Sequence, residues 1–558
     1  MYKLFHNYFK ILIKIGISKF SIFLVLLSSF LCVTIELFGI AIFFPITDIF
    51  NNNFENLNIA GNDINLVKYG KYQILIFIAI AVYITYFVKS VILILNSVLI
   101  SKVWNQIDTR LKQNIYNNIL KFNYKEFIKK SNSSYSNLII VEAEKFAELI
   151  KIYSLFIVEL IILILIFSLL IFSNFITSFI TLFFLLSIII IIYIFFKERL
   201  KSWGFERQKF QDEYQNDIKS GLTSFLSIRV NGGLLFFMNR FLNSLIKRNF
   251  IIQRQYIYEN IPKSILEFSG LTVIIFTSIF QFYILGNSTE EIISFLIILG
   301  VSFYRILPSF NRILGGYNQI IFSKAINEII EKYVNFYNDE KELNKVEFNK
   351  IILRDVSFFY KKGITLFKNI SIDINKGDII GIYGKSGSGK STLIKLIMGL
   401  IKCSSGQIFI DDQKISDKEA LLSSKLFGYL EQNIKTFNST IRENITLGGT
   451  QIKDDPWYNE VLKICNISQL EKDNLGKIIV EDGLNISGGE LQRIGLARIL
   501  YNNPQVFILD EFTSALDLKN KKLIFKTILR INKKFKKTII LISHDNSFKK
   551  FCNKIIQL

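Results

Sequence analysis

Six apolar runs, each long enough to cross a bilayer as a helix, fall before about residue 320 of this 558-residue chain. A spanning helix needs roughly 20 apolar residues, and in a bilayer only helices and closed barrels satisfy their own backbone. The runs lie near 20–46, 73–99, 152–172, 174–196, 264–286 and 290–310. They predict an all-α membrane domain of six transmembrane helices. Half of all residues are hydrophobic and 53 are Phe, yet this bias stops near residue 325, where a mixed α/β sequence begins. The predicted plan is a membrane domain over 1–325, a linker over 326–345 and a soluble domain over 346–558.

Charge sets the orientation. The connections 100–151 and 197–263 are long and rich in Lys and Arg, whereas the short ones carry SNF near 173 and GNSTEE at 286–291. Positive loops stay cytoplasmic, so both termini and both long loops are expected there, and 50–72 is the one sizeable external loop. The formal charge of +21 is accounted for by these loops and by Lys spread along the chain, and no nucleic-acid partner is expected. The N-terminal MYKLFHNYFKILIKIGISKF alternates Lys with aromatics, as an amphipathic helix on a membrane surface does. It has no small-residue cleavage site and is not expected to be a removable signal. Cys32, Cys403, Cys465 and Cys552 have no metal-ligand spacing, which fits a reduced, cytosol-facing soluble half.

That soluble half contains DIIGIYGKSGSGKST. An apolar strand runs straight into Gly384, Lys385, Ser386, Gly387, Ser388, Gly389, Lys390, Ser391 and Thr392, and TLIKLIMGLI continues as a helix. This is the phosphate-binding loop GxxxxGK[ST] in the context that makes it specific. Glycines let backbone N–H groups close around phosphate at a helix N-terminus, Lys390 reaches the β- and γ-phosphates, and Ser391 offers a hydroxyl to Mg²⁺. About 120 residues on, VFILDE ends a buried strand in two carboxylates: Asp510 for the Mg²⁺ shell and Glu511 to polarise the attacking water. ATP and Mg²⁺ are the expected cofactors.

Further motifs follow in a fixed order. NISGGELQRIGLAR resembles the signature of ATP-binding cassette (ABC) exporters, with Ser487, Gly488, Gly489 and Glu490 in place and with Ile486 and Glu490 departing from the commonest form, LSGGQ. Gln432 in YLEQN resembles the Q-loop glutamine, which also serves the metal; Asp517 in SALD resembles the D-loop, His544 in LISHD the switch histidine, and Tyr360 the aromatic that stacks on adenine. The chain is thus similar to an ABC exporter half-transporter with the six-helix type I (type IV) exporter fold and a C-terminal α/β nucleotide-binding domain. The resemblance implies Glu511, His544 and Gln432 as the catalytic set. It also implies a dimer, since each nucleotide in that family lies between the phosphate loop of one subunit and the signature of the other. Because the chain holds a full set of motifs, a homodimer is expected. The loops near 124–138 and 215–229 are expected to rest on the cassettes and carry their motion to the membrane helices.

The cassette says nothing about cargo. Lys89 lies about sixteen residues into the second span, ~24 Å along it, Arg305 at a similar depth in the sixth, and Lys263 at the start of the fifth. Ionisable groups at such depth are costly and commonly face a cavity or a partner. Glu36, deep in the first span, is a candidate partner for Lys89 or Arg305. Three cations suit an anionic headgroup; the bland alternatives are snorkelling, for Lys263 above all, and structural pairing. SFYRILPSFNRI, IELFGIAIFFPIT and IPKSILE further resemble the PglK-type flippases of bacterial protein N-glycosylation. That resemblance implies a polyprenyl-pyrophosphate glycolipid as substrate in a bacterial inner membrane, with Lys89, Lys263 and Arg305 at the pyrophosphate, two of them Lys where Arg is expected. It also implies an external helix within 50–72. The competing readings are a general lipid or multidrug exporter, a peptide exporter and an ATP-gated channel.

Overall fold

The computed structural model describes residues 2–41, 56–59, 62–65, 71–173, 175–284, 286, 289–335, 348–361, 364–385, 387–411, 413–414, 426–449, 455–474, 476–480, 485–512, 518–543 and 546–558. Each expected span overlaps a long helix: Lys19–Ala41, Lys71–Leu120, Ala143–Ser173, Phe175–Thr223, Leu234–Tyr283 and Thr289–Phe322; the expected spans 20–46, 174–196 and 264–286 run a few residues beyond theirs. By length and composition, Ala79–Leu120, Asn132–Ser168 and Leu234–Tyr283 are long and apolar enough to cross a membrane, and the other expected spans run over side chains outside the described set. The 50 residues of Lys71–Leu120 reach about 75 Å at ~1.5 Å per residue, far more than a bilayer core of ~30 Å. The surplus is the charged, helical part of the long connections.

The helices bury one another along a seam that includes Val33, Ile162, Ile166, Leu266, Leu299, Ile306 and Phe310. Phe77, Phe87, Phe183 and Phe268 face outward with more than 60 % of their surface open. So much exposed aromatic surface suits lipid rather than water. The N-terminal helix Tyr2–Lys14 does more than lie on a surface. Tyr8 and Leu12 are fully buried, and Tyr8 packs against Phe146 and Tyr153 of Ala143–Ser173, with centroids 4.9 Å apart in each pair.

Within 50–72 the described residues form two short antiparallel strands, β1 (Asn56–Ile59) and β2 (Asn62–Asn65), rather than the expected helix. Leu57 pairs with Ile64 and Asn58 with Asp63. Apolar and polar residues alternate with the period of a strand, and four Asn in ten residues disfavour a helix. The expected linker also begins as helix: Lys324–Val334 buries Ala325, Ile326, Ile330, Tyr333 and Val334 on one face, the spacing of an amphipathic helix. Residues 336–347 lie outside the described set.

The chain divides into two compact units. One holds residues 1–121 and 130–337; the other holds 338–558 together with Phe122–Lys129. In the second unit β3 (Lys350–Lys361), β4 (Ile364–Asn375), β6 (Ser405–Ile410) and β7 (Gln413–Lys414) form an antiparallel sheet ordered β4-β3-β6-β7. A parallel sheet, ordered β11-β5-β10-β9-β8, is built from β5 (Ile379–Tyr383), β8 (Phe427–Leu430), β9 (Val506–Asp510), β10 (Thr538–Ile542) and β11 (Lys554–Gln557). Strands β5, β9 and β10 are buried along their whole length, the pattern of parallel strands covered on both faces. Their C-terminal ends lie side by side, where open α/β sheets place their ligands.

Candidate nucleotide site

The loop after β5 and the helix Lys390–Ile397 form the centre of the site. Gly389 caps that helix at φ +100°, and a Cβ there would come within 2.9 Å of the Leu366 and Phe367 side chains. Gly387 is also left-handed, at φ +81°. At Gly384 an added Cβ would sit 2.6 Å from both the Leu558 carbonyl oxygen and the Ser388 hydroxyl. The loop therefore closes tightly around its own interior. Into that interior the buried Lys390 ammonium donates to the carbonyls of Gly384 and Lys385, each at 3.0 Å. Ser388 Oγ is buried without a hydrogen-bond partner among the described residues. A loop with an ammonium at its centre and an orphaned hydroxyl fits a phosphate chain. Ser391 and Thr392 open the helix, and Ser386 lies outside the described residues.

β9 lies beside β10, which lies beside β5, so its terminal Asp510 arrives next to this loop. Asp510 is buried and accepts hydrogen bonds from Tyr429 Oη, at 3.0 Å, and from Ser391. Burial pushes its carboxyl above the usual range, and those hydrogen bonds oppose the shift. Glu511 follows at φ +46°, its N–H donating to Ile542 O at 3.1 Å. A left-handed glutamate is strained, and the turn sends adjacent carboxylates in different directions. Gln432 Nε2 donates to Glu511 Oε2 at 2.9 Å. Hydroxyl and carboxylate are the hard oxygen donors that Mg²⁺ takes, so Ser391 and Asp510 fit that ion.

The structure thus gathers Gly384, Lys390, Ser391, Gln432, Asp510 and Glu511 at one sheet edge. Tyr429, on the neighbouring strand, went unnoticed in the sequence, where an aromatic in a strand looks like core. The signature lies at a helix start: Ser487 caps Gly488–Tyr501 in a capping box in which Glu490 accepts from Ser487 N at 3.0 Å and from its hydroxyl at 2.6 Å. Glu490, the departure from the commonest signature, therefore finishes the cap. Arg498 of the same helix donates to the carbonyls of Asn444, at 2.8 Å, and Lys435, at 2.9 Å, tying it to the segment that follows Gln432. His544 and Asp517 lie outside the described residues, as does the side chain of Tyr360 in β3.

Residues 367–514 match the ABC transporter family. This chain carries an ABC transporter ATP-binding domain. That domain binds and hydrolyses ATP. An export ATP-binding/permease protein of Rickettsia typhi is 27 % identical over 82 % of this chain and 80 % of its own length. The microcin-J25 export ATP-binding/permease protein McjD of Escherichia coli is 30 % identical over 54 % of this chain and 53 % of its own. The chain spans about half the length of several other curated relatives it matches. A bacterial Atm1-family ABC exporter solved with ATP bound has the same fold, with TM-score 0.78 over 96 % of this chain and 92 % of that one, at 16 % identity. The architecture is thus a helical membrane region followed by an ABC ATPase domain.

The three cations singled out as candidates for cargo belong to the membrane unit. Arg305 pairs with Glu159, Nη2 to Oε2 3.2 Å; the side chain of Glu36, the partner suggested from sequence, lies outside the described set. Glu159 is 1 % exposed and also pairs with Arg312 at 2.6 Å. Glu159 and Arg312 were not foreseen, since 146 and 153 residues separate the partners. Lys89 is half-buried, its ammonium 5.3 Å from the Tyr86 ring centre. Lys263 is exposed beside Pro262, which lies inside its helix.

The fit at Gly389 carries a prediction. In Gly389→Ala the new Cβ meets two side chains at a φ that costs about 1–3 kcal/mol for a residue other than glycine. ATP binding, followed by titration with a fluorescent analogue, is expected to weaken roughly 5- to 150-fold. Unchanged affinity would mean that this loop does not hold the phosphates.

Proposed function

We propose that the chain is one half of a dimeric exporter that uses ATP to move an anionic amphipathic lipid, of the polyprenyl-pyrophosphate oligosaccharide class, from the cytoplasmic to the periplasmic side of a bacterial inner membrane. The observation that carries the cargo reading is the cluster of Arg305, Arg312 and Glu159. Two guanidiniums on one helix meet the same buried carboxylate, and Arg312 is half exposed. Guanidiniums held by a carboxylate keep their forks oriented for a second anion. Lys89 and Lys263 add charge along the same set of helices. A bulky neutral drug has no use for this arrangement.

Within the ATPase unit, Lys390 meets the β- and γ-phosphates, Ser391 and Asp510 hold Mg²⁺, and Glu511 orients the attacking water and draws on its proton. Gln432 would offer its amide oxygen to that ion, while His544 and the Ser487–Glu490 signature of the partner copy would complete the γ-phosphate site. When bound, Mg²⁺ neutralises phosphate charge as the bond to the leaving group breaks. Dimer formation is supported by the stretch around Phe225–Asn231, where Phe225, Leu226, Val230, Leu235 and Phe236 are each more than 60 % exposed. A run of that kind on a cytoplasmic loop calls for a partner surface.

Proteoliposomes with a fluorescent polyprenyl-pyrophosphate oligosaccharide test the cargo. The pair Lys89→Ala/Arg305→Ala, and Arg312→Ala alone, are expected to lower translocation about tenfold or more, the loss of a charged hydrogen bond, while ATPase activity persists. The second reading, peptide export, is favoured by the likeness to McjD. ATPase-active wild type that moves a microcin and no glycolipid would establish it.

A further inference from the structure

The two carboxylates at the end of β9 each receive a side-chain donor from the same neighbouring strand and the turn beyond it. Gln432 serves Glu511, and Tyr429, three residues earlier, serves Asp510 at 3.0 Å. Strands β8 and β9 run parallel with Tyr429 opposite Ile508, so the phenol ring reaches forward along the sheet to the strand end. We propose that Tyr429 is a positioning residue for ATP hydrolysis, its hydroxyl fixing the orientation of the Asp510 carboxylate that faces Mg²⁺. This rests on the assignment of Asp510 to the metal made above.

The reasoning is one of donor supply. A buried carboxylate keeps its charge only with donors around it, and among the described residues Asp510 has two neutral ones, the Tyr429 and Ser391 hydroxyls. Ser391 is needed by the metal itself. Its hydroxyl gives the ion an oxygen lone pair and keeps its proton for Asp510, so Tyr429 is the second donor, one that stands apart from the metal and fixes the carboxylate plane. A partner of this kind, outside the ligands, typically changes metal affinity or activity by about 10- to 100-fold when removed. Tyr429 is half-buried against an apolar cluster that includes Ile382, Leu393 and Ile508, so a phenylalanine keeps its packing and removes the hydroxyl alone.

The test uses the full-length protein in detergent and Mn²⁺ as probe, with bound Mn²⁺ read by electron paramagnetic resonance in the presence of a non-hydrolysable ATP analogue. Tyr429→Phe is expected to weaken Mn²⁺ binding about tenfold or more, to raise the Mg²⁺ concentration that half-saturates turnover, and to leave analogue binding in EDTA and the thermal midpoint unchanged. In an Asp510→Asn background the same change should add nothing. Wild-type Mn²⁺ affinity in Tyr429→Phe, with Asp510→Asn impaired, overturns the role of Tyr429 and leaves that of Asp510 standing. Wild-type affinity in Asp510→Asn overturns the metal assignment beneath it. A fall in the thermal midpoint that alone accounts for the weaker binding also overturns the proposal.

Discussion

Glu511→Gln is expected to lower ATP turnover by about 10²- to 10⁴-fold, the range for removing a general base, with ATP still bound. Gln has the shape of Glu and an amide oxygen that accepts the Gln432 Nε2 hydrogen bond now made to Oε2 at 2.9 Å. It also suits the left-handed backbone no less well than Glu does. The loop carrying Lys390 is untouched, so phosphate binding persists. Only the ability to draw a proton from water is lost. Phosphate release and retained nucleotide, measured on one preparation, separate the two effects. Turnover within threefold of wild type would place the base elsewhere.

The phosphate loop was legible because its chemistry is local. Glycine, ammonium and hydroxyl follow one another in a strand-loop-helix, and the backbone angles at Gly387 and Gly389 are what those residue types are for. Asp510 and Glu511 were legible for the same reason, as polar residues ending an apolar strand. What no window of sequence shows is the company a residue keeps across the fold. Tyr429 and Asp510 are 81 residues apart, and Glu159 and Arg312 are 153 apart. Arg305 was therefore noticed as a costly cation while Glu159, one acid in the otherwise apolar stretch 152–172, was not. The hairpin at 56–65 was missed for a different reason. A short alternation inside an Asn-rich stretch reads as loop, and strand pairing is settled only when the second strand is present.

A further ion pair has the largest expected effect on stability. Glu142 ends the single wide turn Leu138–Glu142, in which the helix loosens to i→i+5 bonding. That turn sets its carboxylate 2.7 Å from Arg207 Nη2, with the two side chains 1 % and 2 % exposed. Arg207 Nε and Nη1 and Glu142 Oε1 are buried without hydrogen-bond partners among the described residues. The guanidinium also lies 5.8 Å from the Phe322 ring centre. So dry a pair gains little over a greasy one, but each member holds the other's charge in check. Glu142→Leu leaves Arg207 buried with its charge uncompensated and is expected to cost about 3–5 kcal/mol. Thermal unfolding of the detergent-solubilised protein should then begin on the order of 10 °C earlier. Replacing both, as Glu142→Leu with Arg207→Met, removes the stranded charge and is expected to restore most of the loss. The double variant separates two roles. If it recovers both stability and ATP-driven transport, the pair is scaffold. If stability returns and transport does not, the charges themselves serve the motion between the membrane helices and the ATPase.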